Sequence, residues 1–353
     1  MQNNKKNALV VCNSGRSLIH FRLSTIKMLE NKYNVYIIAK NDLIDDRIYQ
    51  FSYSAKFNFL SIYRSINSIS PNLILSYGLI SNFYIFICKI FNFSIKYKWI
   101  SFIPGIGTIY NISKPFRNYF IYIYGFIISR SDVLITSNEL ISRIFKNFHN
   151  KIISVPGEGV DINLWQNSQL NYNDNIIRLS FISRLLSSKG VSLFLNLSEN
   201  NLNPNFQFLI AGSYDTSLRS FIFNIYLKRK IEYLVNIKKL KNYGDLSSIY
   251  DILTNTKWLL LPTTYGEGLP TVLMEAQSIG IPVVIYKKFW SYKYFIGFKN
   301  CLYINDFKSI EDLLYYIEKM SIEDYRTYSI NSLNCSKNYF DRNNIVNILS
   351  ENT

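Results

Sequence analysis

The chain has 353 residues, 48% of them hydrophobic, which suits two domains of ordinary size and argues against global disorder. No apolar run approaches the ~18 residues that cross a bilayer, and the four cysteines (Cys12, Cys88, Cys301, Cys335) are scattered and form no Cys-x-x-Cys pair, which gives little support to a disulfide framework or a structural zinc. The net charge of +15 is uneven: residues 1–150 hold 18 Lys+Arg against 6 Asp+Glu, the remainder 21 against 18, and residues 47–131 hold nine Lys/Arg and no carboxylate.

In chain order, residues 8–12 and 35–39 are short β-rich runs, 18–29 has helical spacing, and Asn13-Ser14-Gly15 makes the turn between. This is the β-loop-α-β opening of a doubly wound sheet. The first run is too short for a signal-peptide core, so it reads as a buried strand and predicts a cytoplasmic protein. A strand at 73–75, a helix at 83–91 and a strand at 99–103 follow, the last ending in Pro104-Gly105-Ile106-Gly107. A helix over 116–128, a strand at 133–136, a helix at 140–145 capped by Ser137 and a strand at 152–155 complete the first half. The polar stretch 166–175 marks a boundary. Strands are then predicted at 178–182, 206–211, 258–261, 283–286 and 302–304, with a helix over 310–320; 231–235 and 237–240 are ambiguous. Two such units in series predict an α/β protein with two parallel sheets facing each other across a cleft, ligands binding at the carboxyl ends of the strands.

The most informative stretch is Glu267-Gly268-Leu269-Pro270-Thr271-Val272-Leu273-Met274-Glu275. It places one carboxylate in a Gly-containing loop and a second about one turn into the helix that follows. Pro270 suits a first helical position, where a missing N–H costs nothing. The free amides of that helix start can receive an anion, and a carboxylate such as Glu275 can accept from two adjacent ribose hydroxyls. Arg184 and Lys189 occupy a loop directly after a strand, where Arg grips phosphate in two-pronged fashion and Lys adds a point charge. Gly15, Gly105 and Gly107 either admit a close approach of backbone to ligand or make ordinary turns. His20 is either a site residue or a partly buried structural imidazole, Arg22 is a candidate for an acceptor phosphate, and His149 reads as a surface residue. With only two histidines and no Asp-x-Asp, no metal centre is predicted. The basic residues form no compact Arg-rich run, so nucleic acid is not the expected partner.

The segment 262–284, with its Glu-x7-Glu, resembles the retaining glycosyltransferases of family 4, which have the GT-B fold. Ser180-Phe181-Ile182-Ser183-Arg184-Leu185-Leu186-Ser187-Ser188-Lys189-Gly190 resembles that family's strand-loop motif with Arg and Lys five apart. Val155-Pro156-Gly157-Glu158-Gly159-Val160-Asp161 is similar to its interdomain motif, and Pro104-Gly105-Ile106-Gly107-Thr108 to a Gly-x-Gly loop after an N-domain strand. Asn13-Ser14-Gly15 with His20-Phe21-Arg22-Leu23 is similar to the first loop and helix of the bacterial surface-polysaccharide branch. Two departures stand out: Pro104 occupies the position of a His found in many relatives, and the stretch after Tyr286 lacks their Gly-x-x-Glu element.

The resemblance implies a Rossmann-like acceptor domain over 1–158, a nucleotide-sugar domain over 159–335, and a C-terminal helix, 336–353, returning to the first. It implies metal-independent transfer with retention, with Glu267, Arg184 and Lys189 as catalytic groups. Glu275, Gly268, Leu269, Thr271, Val272 and Gly15 would bind the donor; His20, Arg22, Gly105 and Gly107 would lie on the acceptor side. The donor is expected to be a UDP-linked hexose or N-acetylhexosamine, and the acceptor a polyprenyl-diphosphate-linked saccharide. A soluble sugar or protein acceptor, or a catalytically silent sugar-nucleotide-binding subunit, are the alternatives. The basic, aromatic segments 83–99 and 115–130 are expected to touch the inner face of the cell membrane or else to cover the sheet.

Overall fold

The computed structural model describes residues 5–40, 52–54, 56–92, 94–107, 109, 112–164, 176–217, 220–245, 249–287, 295 and 298–353. Thr108, the boundary stretch 166–175 and residues 288–292 lie outside these described residues. The chain forms two units, one of Met1–Val160, Gly266–Leu269 and Asp341–Thr353, the other of Asp161–Tyr265 and Pro270–Phe340. Gly266–Leu269, expected in the nucleotide-sugar domain, therefore belongs to the first unit.

The first unit opens with β1 (Lys6–Cys12), α1 (Gly15–Glu30) and β2 (Tyr33–Ala39). It continues through β3 (Ser52–Ser54), α2 (Phe59–Ile69), β4 (Leu73–Tyr77), α3 (Leu79–Phe91), β5 (Lys98–Ile103) and β6 (Gly105–Gly107). Then come α4 (Lys114–Ile128), β7 (Val133–Thr136), α5 (Glu139–Phe145) and β8 (Ile152–Ser154). Seven strands pair in the order β3-β2-β1-β4-β5-β7-β8, all parallel. Successive strand residues point to opposite faces. Ala8, Val10 and Cys12 thus pack with Leu18, Ile26 and Leu29 of α1 and with Ile345 and Leu349 near the C-terminus. Leu9 and Val11 face Ile62 and Ile66 of α2, Ile85 and Phe86 of α3 and Ile127 of α4. Both faces being covered explains why the strands read as unbroken apolar runs.

Several local expectations are corrected. The helix predicted from 83 begins at Leu79, and Asn82 in its first turn is buried: its side chain accepts from Ser76 Oγ at 2.6 Å and donates to the Tyr124 hydroxyl at 2.6 Å. The cap of α5 is Asn138, which accepts from the Ile141 amide at 2.9 Å, while Ser137 donates its hydroxyl to the Pro104 carbonyl at 2.6 Å. His149 is buried rather than on the surface. Its Nδ1 accepts from the Lys151 amide at 3.0 Å, which leaves Nε2 to carry the proton toward the Ser131 carbonyl, also at 3.0 Å.

The second unit holds β9 (Ile177–Ile182), α6 (Val191–Asn200), β10 (Phe206–Ala211), α7 (Phe221–Asn236), β11 (Leu240–Asn242), α8 (Tyr250–Leu253) and β12 (Trp258–Leu261). The ambiguous run 231–235 is thus the end of a helix; Leu227, Ile231 and Leu234 are its buried stripe. After β13 (Gly266–Glu267), which lies in the first unit, come α9 (Thr271–Ser278), β14 (Val283–Ile285), β15 (Cys301–Tyr303), α10 (Ile310–Lys319) and α11 (Ile322–Cys335). The chain ends with α12 (Arg342–Asn352), packed on α1 in the first unit. The second sheet is parallel, in the order β11-β10-β9-β12-β14-β15. Its core includes Phe181, Phe194, Phe208 and Trp258.

Candidate active site

In a doubly wound sheet, ligands bind beyond the carboxyl ends of the strands where the chain reverses its direction of winding. In the first unit that reversal lies between β1 and β4. The two loops there touch: a Cβ on Gly78, whose φ is +88°, would lie 3.4 Å from Asn13 Oδ1. Ser14 caps α1, its hydroxyl accepting from the Ser17 amide at 3.1 Å. Gly15 is the first residue of α1, buried, and its amide donates to the Lys40 carbonyl at 3.0 Å.

Arg22 and His20 exchange their expected environments. Arg22 is buried, its guanidinium 2.6 Å from Glu158 Oε1 and 4.2 Å from the centre of the Tyr77 ring. Its partner in this structure is Glu158, a contact the sequence did not predict. His20 is exposed on α1, which corrects the reading of it as a structural imidazole. Glu158 had no role in the sequence reading because its motif leaves that position open. Beside it, Arg342 donates to the Gly159 carbonyl at 3.2 Å, and the Arg342 amide donates to Val160 at 2.9 Å. Burial disfavours both charges of the Arg22–Glu158 pair. Glu158 nonetheless keeps Arg22 firmly protonated, holding its guanidinium above the usual value. Burial pushes the carboxyl of Glu158 up while Arg22 and Arg342 pull it down. With two guanidinium groups acting on one carboxylate, the ionised pair is the state we assign. Burial likewise pushes the Tyr77 phenol up, against the pull of Arg22.

Gly105 and Gly107 do not line an open loop. β6 pairs antiparallel with β13, Gly107 opposite Gly266 and Gly105 opposite Glu267, with a shift in register between Gly266 and Glu267. Gly268 is demanded by space, since a Cβ there would lie 1.9 Å from Ser137 Oγ and 2.4 Å from the Pro104 carbonyl oxygen. The Ser137–Pro104 hydrogen bond thus forms the floor on which this glycine rests. Leu269 is buried next to it.

In the second unit the winding reverses between β9 and β12. The loop after β9 carries Arg184 and Lys189; the loop after β12 carries Thr263, Thr264 and Tyr265. The Thr264 amide donates to the Ser188 carbonyl at 2.7 Å, and the Thr264 hydroxyl reaches the same oxygen at 3.2 Å. Gly190, at φ +87°, leaves room for Pro262, which a Cβ would approach to 2.4 Å. Arg184 is exposed and Lys189 buried. Their charged groups lie 5.8 and 5.3 Å from the centre of the Tyr265 ring. Asp215, on the loop after β10, is held below the usual carboxylate range by hydrogen bonds from Ser220 and Ser217, with Arg184 adding to the effect. Pro270 is the residue before α9, not its first residue. Thr271 and Val272 open that helix, and Glu275 sits half-buried at its fifth position. Tyr265 and Asp215 were passed over in the sequence, where an aromatic and an aspartate in loops carry no pattern of their own.

Residues 164–332 match the family model described as glycosyl transferases group 1. This stretch is therefore similar to the group 1 glycosyl transferases. The chain is 29% identical over 188 residues to UDP-Gal:alpha-D-GlcNAc-diphosphoundecaprenol alpha-1,3-galactosyltransferase of Escherichia coli, covering 50% of this chain and 43% of that one. It is 24% identical over 205 residues to the putative colanic acid biosynthesis glycosyltransferase WcaL of Escherichia coli K12, covering 54% and 49%. The chain spans about half the length of these curated relatives. Among solved structures, Anabaena Alr3699/HepE in complex with UDP superposes with a TM-score of 0.76 at 14% identity, over 98% of this chain and 99% of that one. The α/β fold is therefore that of the GT-B glycosyltransferases.

Proposed function

We propose that the protein is a retaining glycosyltransferase that moves a hexose or N-acetylhexosamine from a UDP-sugar to a polyprenyl-diphosphate-linked saccharide, in bacterial surface-polysaccharide assembly. The observation that carries this reading is the Arg184–Lys189 pair at the switch point of the very domain that matches group 1 glycosyl transferases. The UDP complex of the Anabaena protein and the lipid-diphosphate acceptor named for the Escherichia coli relative support the choice of donor and acceptor.

In the reaction the bond from the anomeric carbon to the diphosphate oxygen breaks and negative charge gathers on the leaving UDP. Arg184 and Lys189 stabilise that charge in place of a metal, aided by the amides of Leu269, Thr271 and Val272. Glu275 accepts from the ribose hydroxyls. Glu267 accepts from hydroxyls of the donor sugar and stabilises positive charge at its anomeric carbon; Gly268 and Gly15 let backbone come near. The acceptor hydroxyl attacks from the face the diphosphate leaves, and its proton passes to a departing phosphate oxygen. Among the described residues no group of three or more His, Cys, Asp or Glu is placed to hold a metal, and the proposed reaction needs none. The test is a panel of UDP- and GDP-sugars offered to a lipid-diphosphate saccharide in the presence of a chelator. An α-linked product formed at an undiminished rate is expected; a chelator-abolished reaction or a β-linked product contradicts the mechanism.

A lipid acceptor requires access to a membrane surface. Among the described residues no helix is long and apolar enough to cross a membrane. The outer face of α4, however, exposes Phe116, Tyr119, Phe120, Tyr122, Ile123 and Phe126, with Tyr122 67% exposed. Its neighbour α3 adds Phe83, Ile90 and Phe91. Aromatic and aliphatic side chains in such a patch, flanked by Lys114, Arg117 and Arg130 and free of carboxylates, suit the interface of an anionic leaflet.

A further inference from the structure

We propose that Tyr265 is a positioning residue of the donor site. Its ring sets Arg184 and Lys189 as a fixed pair of charges for the diphosphate of a nucleotide. This deepens, and rests on, the reading of the second unit as a nucleotide-sugar site.

Three features of the unit carry the inference. Arg184 and Lys189 both lie within about 6 Å of one ring centre, at 5.8 and 5.3 Å, the range over which the ring's electron-rich face attracts a cation. Two like charges would otherwise repel each other, and a shared aromatic neighbour offsets part of that cost. The ring is also anchored. The Tyr265 amide donates to Thr263 Oγ1 at 3.1 Å, and Thr264 is bound to the Ser188 carbonyl, one residue before Lys189. The loop that carries the ring is thereby fastened to the loop that carries the lysine, with Pro262 seated against Gly190. Finally, Asp215, on the loop after β10, is a second electrostatic neighbour of Arg184. A guanidinium restrained before ligand arrives loses less freedom on gripping a phosphate. The contribution comes from the ring, not the hydroxyl, so phenylalanine should replace tyrosine while leucine should not.

The experiment titrates UDP, uridine and inorganic diphosphate into wild type, Tyr265→Phe and Tyr265→Leu, alongside steady-state kinetics. Tyr265→Phe is expected to bind UDP within ~3-fold of wild type. Tyr265→Leu is expected to weaken UDP and diphosphate ~10-fold, on the scale of the two cation–π contacts it removes together, and to leave uridine within ~2-fold. A rise in the donor KM should accompany the loss. Unchanged UDP affinity in Tyr265→Leu overturns the proposal while leaving the nucleotide-sugar reading intact. Equal weakening of UDP and uridine also overturns it, because that is the mark of a general loosening of the loop. Failure of the wild type to bind UDP or diphosphate removes the donor-site reading and the proposal together.

Discussion

At the scale of single residues, the strongest commitments concern charge. Removing one preorganised cation from a developing diphosphate forfeits transition-state stabilisation of a few kcal/mol. Arg184→Ala and Glu267→Ala are each expected to lower turnover by at least ~100-fold with the fold intact; near-normal turnover in either contradicts its assignment. Arg22 and Glu158 belong to a different account. Their pair is buried, with side chains 3% and 15% exposed, so Glu158→Ala leaves a guanidinium without its counter-charge. Breaking such a pair costs about 3–5 kcal/mol, and chemical denaturation should report a loss of that size, whereas a neutral effect would place the pair in water. The sequence showed the Arg184–Lys189 and Glu267–Glu275 spacings because each lies within one short segment. It did not show Arg22 with Glu158, 136 residues apart, because nothing local marks a long-range partner. The same limit hid Tyr265, whose importance arises from a neighbouring loop.

At the scale of elements, α4 and the turn after α5 make distinct predictions. Tyr124 and Ile127 face the sheet, while Phe116, Tyr119 and Phe120 face outward. Replacing those three with Ser should leave folding unchanged and sharply reduce flotation with anionic vesicles; undiminished flotation would assign the face to something else. His149 sits in the turn before β8 and is kept neutral by burial, which lowers its pKa, with hydrogen bonds to Ser131 and Lys151 opposing the shift. A lowered folded pKa gives stability that is present above the ordinary histidine value near 6.5 and is lost as pH falls through the folded value. Urea unfolding should therefore show wild type losing stability on acidification from pH ~7 to ~5 more steeply than His149→Asn. Parallel curves would contradict the buried neutral imidazole. Most strands were legible as apolar runs such as 133–136 and 258–261. Element ends were less so, because the buried hydrogen bonds of Asn82 and the cap at Asn138 interrupt the apolar pattern without marking where a helix starts. The segment 266–269 was legible as a loop, but its pairing with Gly105 and Gly107 was not, since a two-residue strand has no period to read.

At the scale of the whole molecule, the doubly wound plan recurs, and each unit places its candidate groups where its own sheet reverses winding: Gly15 and Gly78 at β1/β4, Arg184, Lys189 and Tyr265 at β9/β12. The chain passes between the units at 160/161, 265/266, 269/270 and 340/341, and the Glu267 segment lies between two of these passages. The order of strands and helices was readable from alternating apolar and polar runs, whereas the return of Gly266–Leu269 to the first unit depends on tertiary packing. The concentration of positive charge in residues 1–150, 18 Lys+Arg against 6 Asp+Glu, is a global property with a global consequence. Binding to anionic vesicles should fall steeply as salt rises, because screening shortens the reach of each charge; salt-independent binding would assign attachment to the aromatics alone. The most direct measurement offers UDP-hexoses and UDP-N-acetylhexosamines to a polyprenyl-diphosphate-linked sugar and follows UDP release together with the mass of the lipid. One added sugar per UDP released is expected with at least one donor, and loss of both signals in Arg184→Ala. No sugar added from any donor, or an Arg184→Ala variant that works at the full rate, would contradict the proposed function.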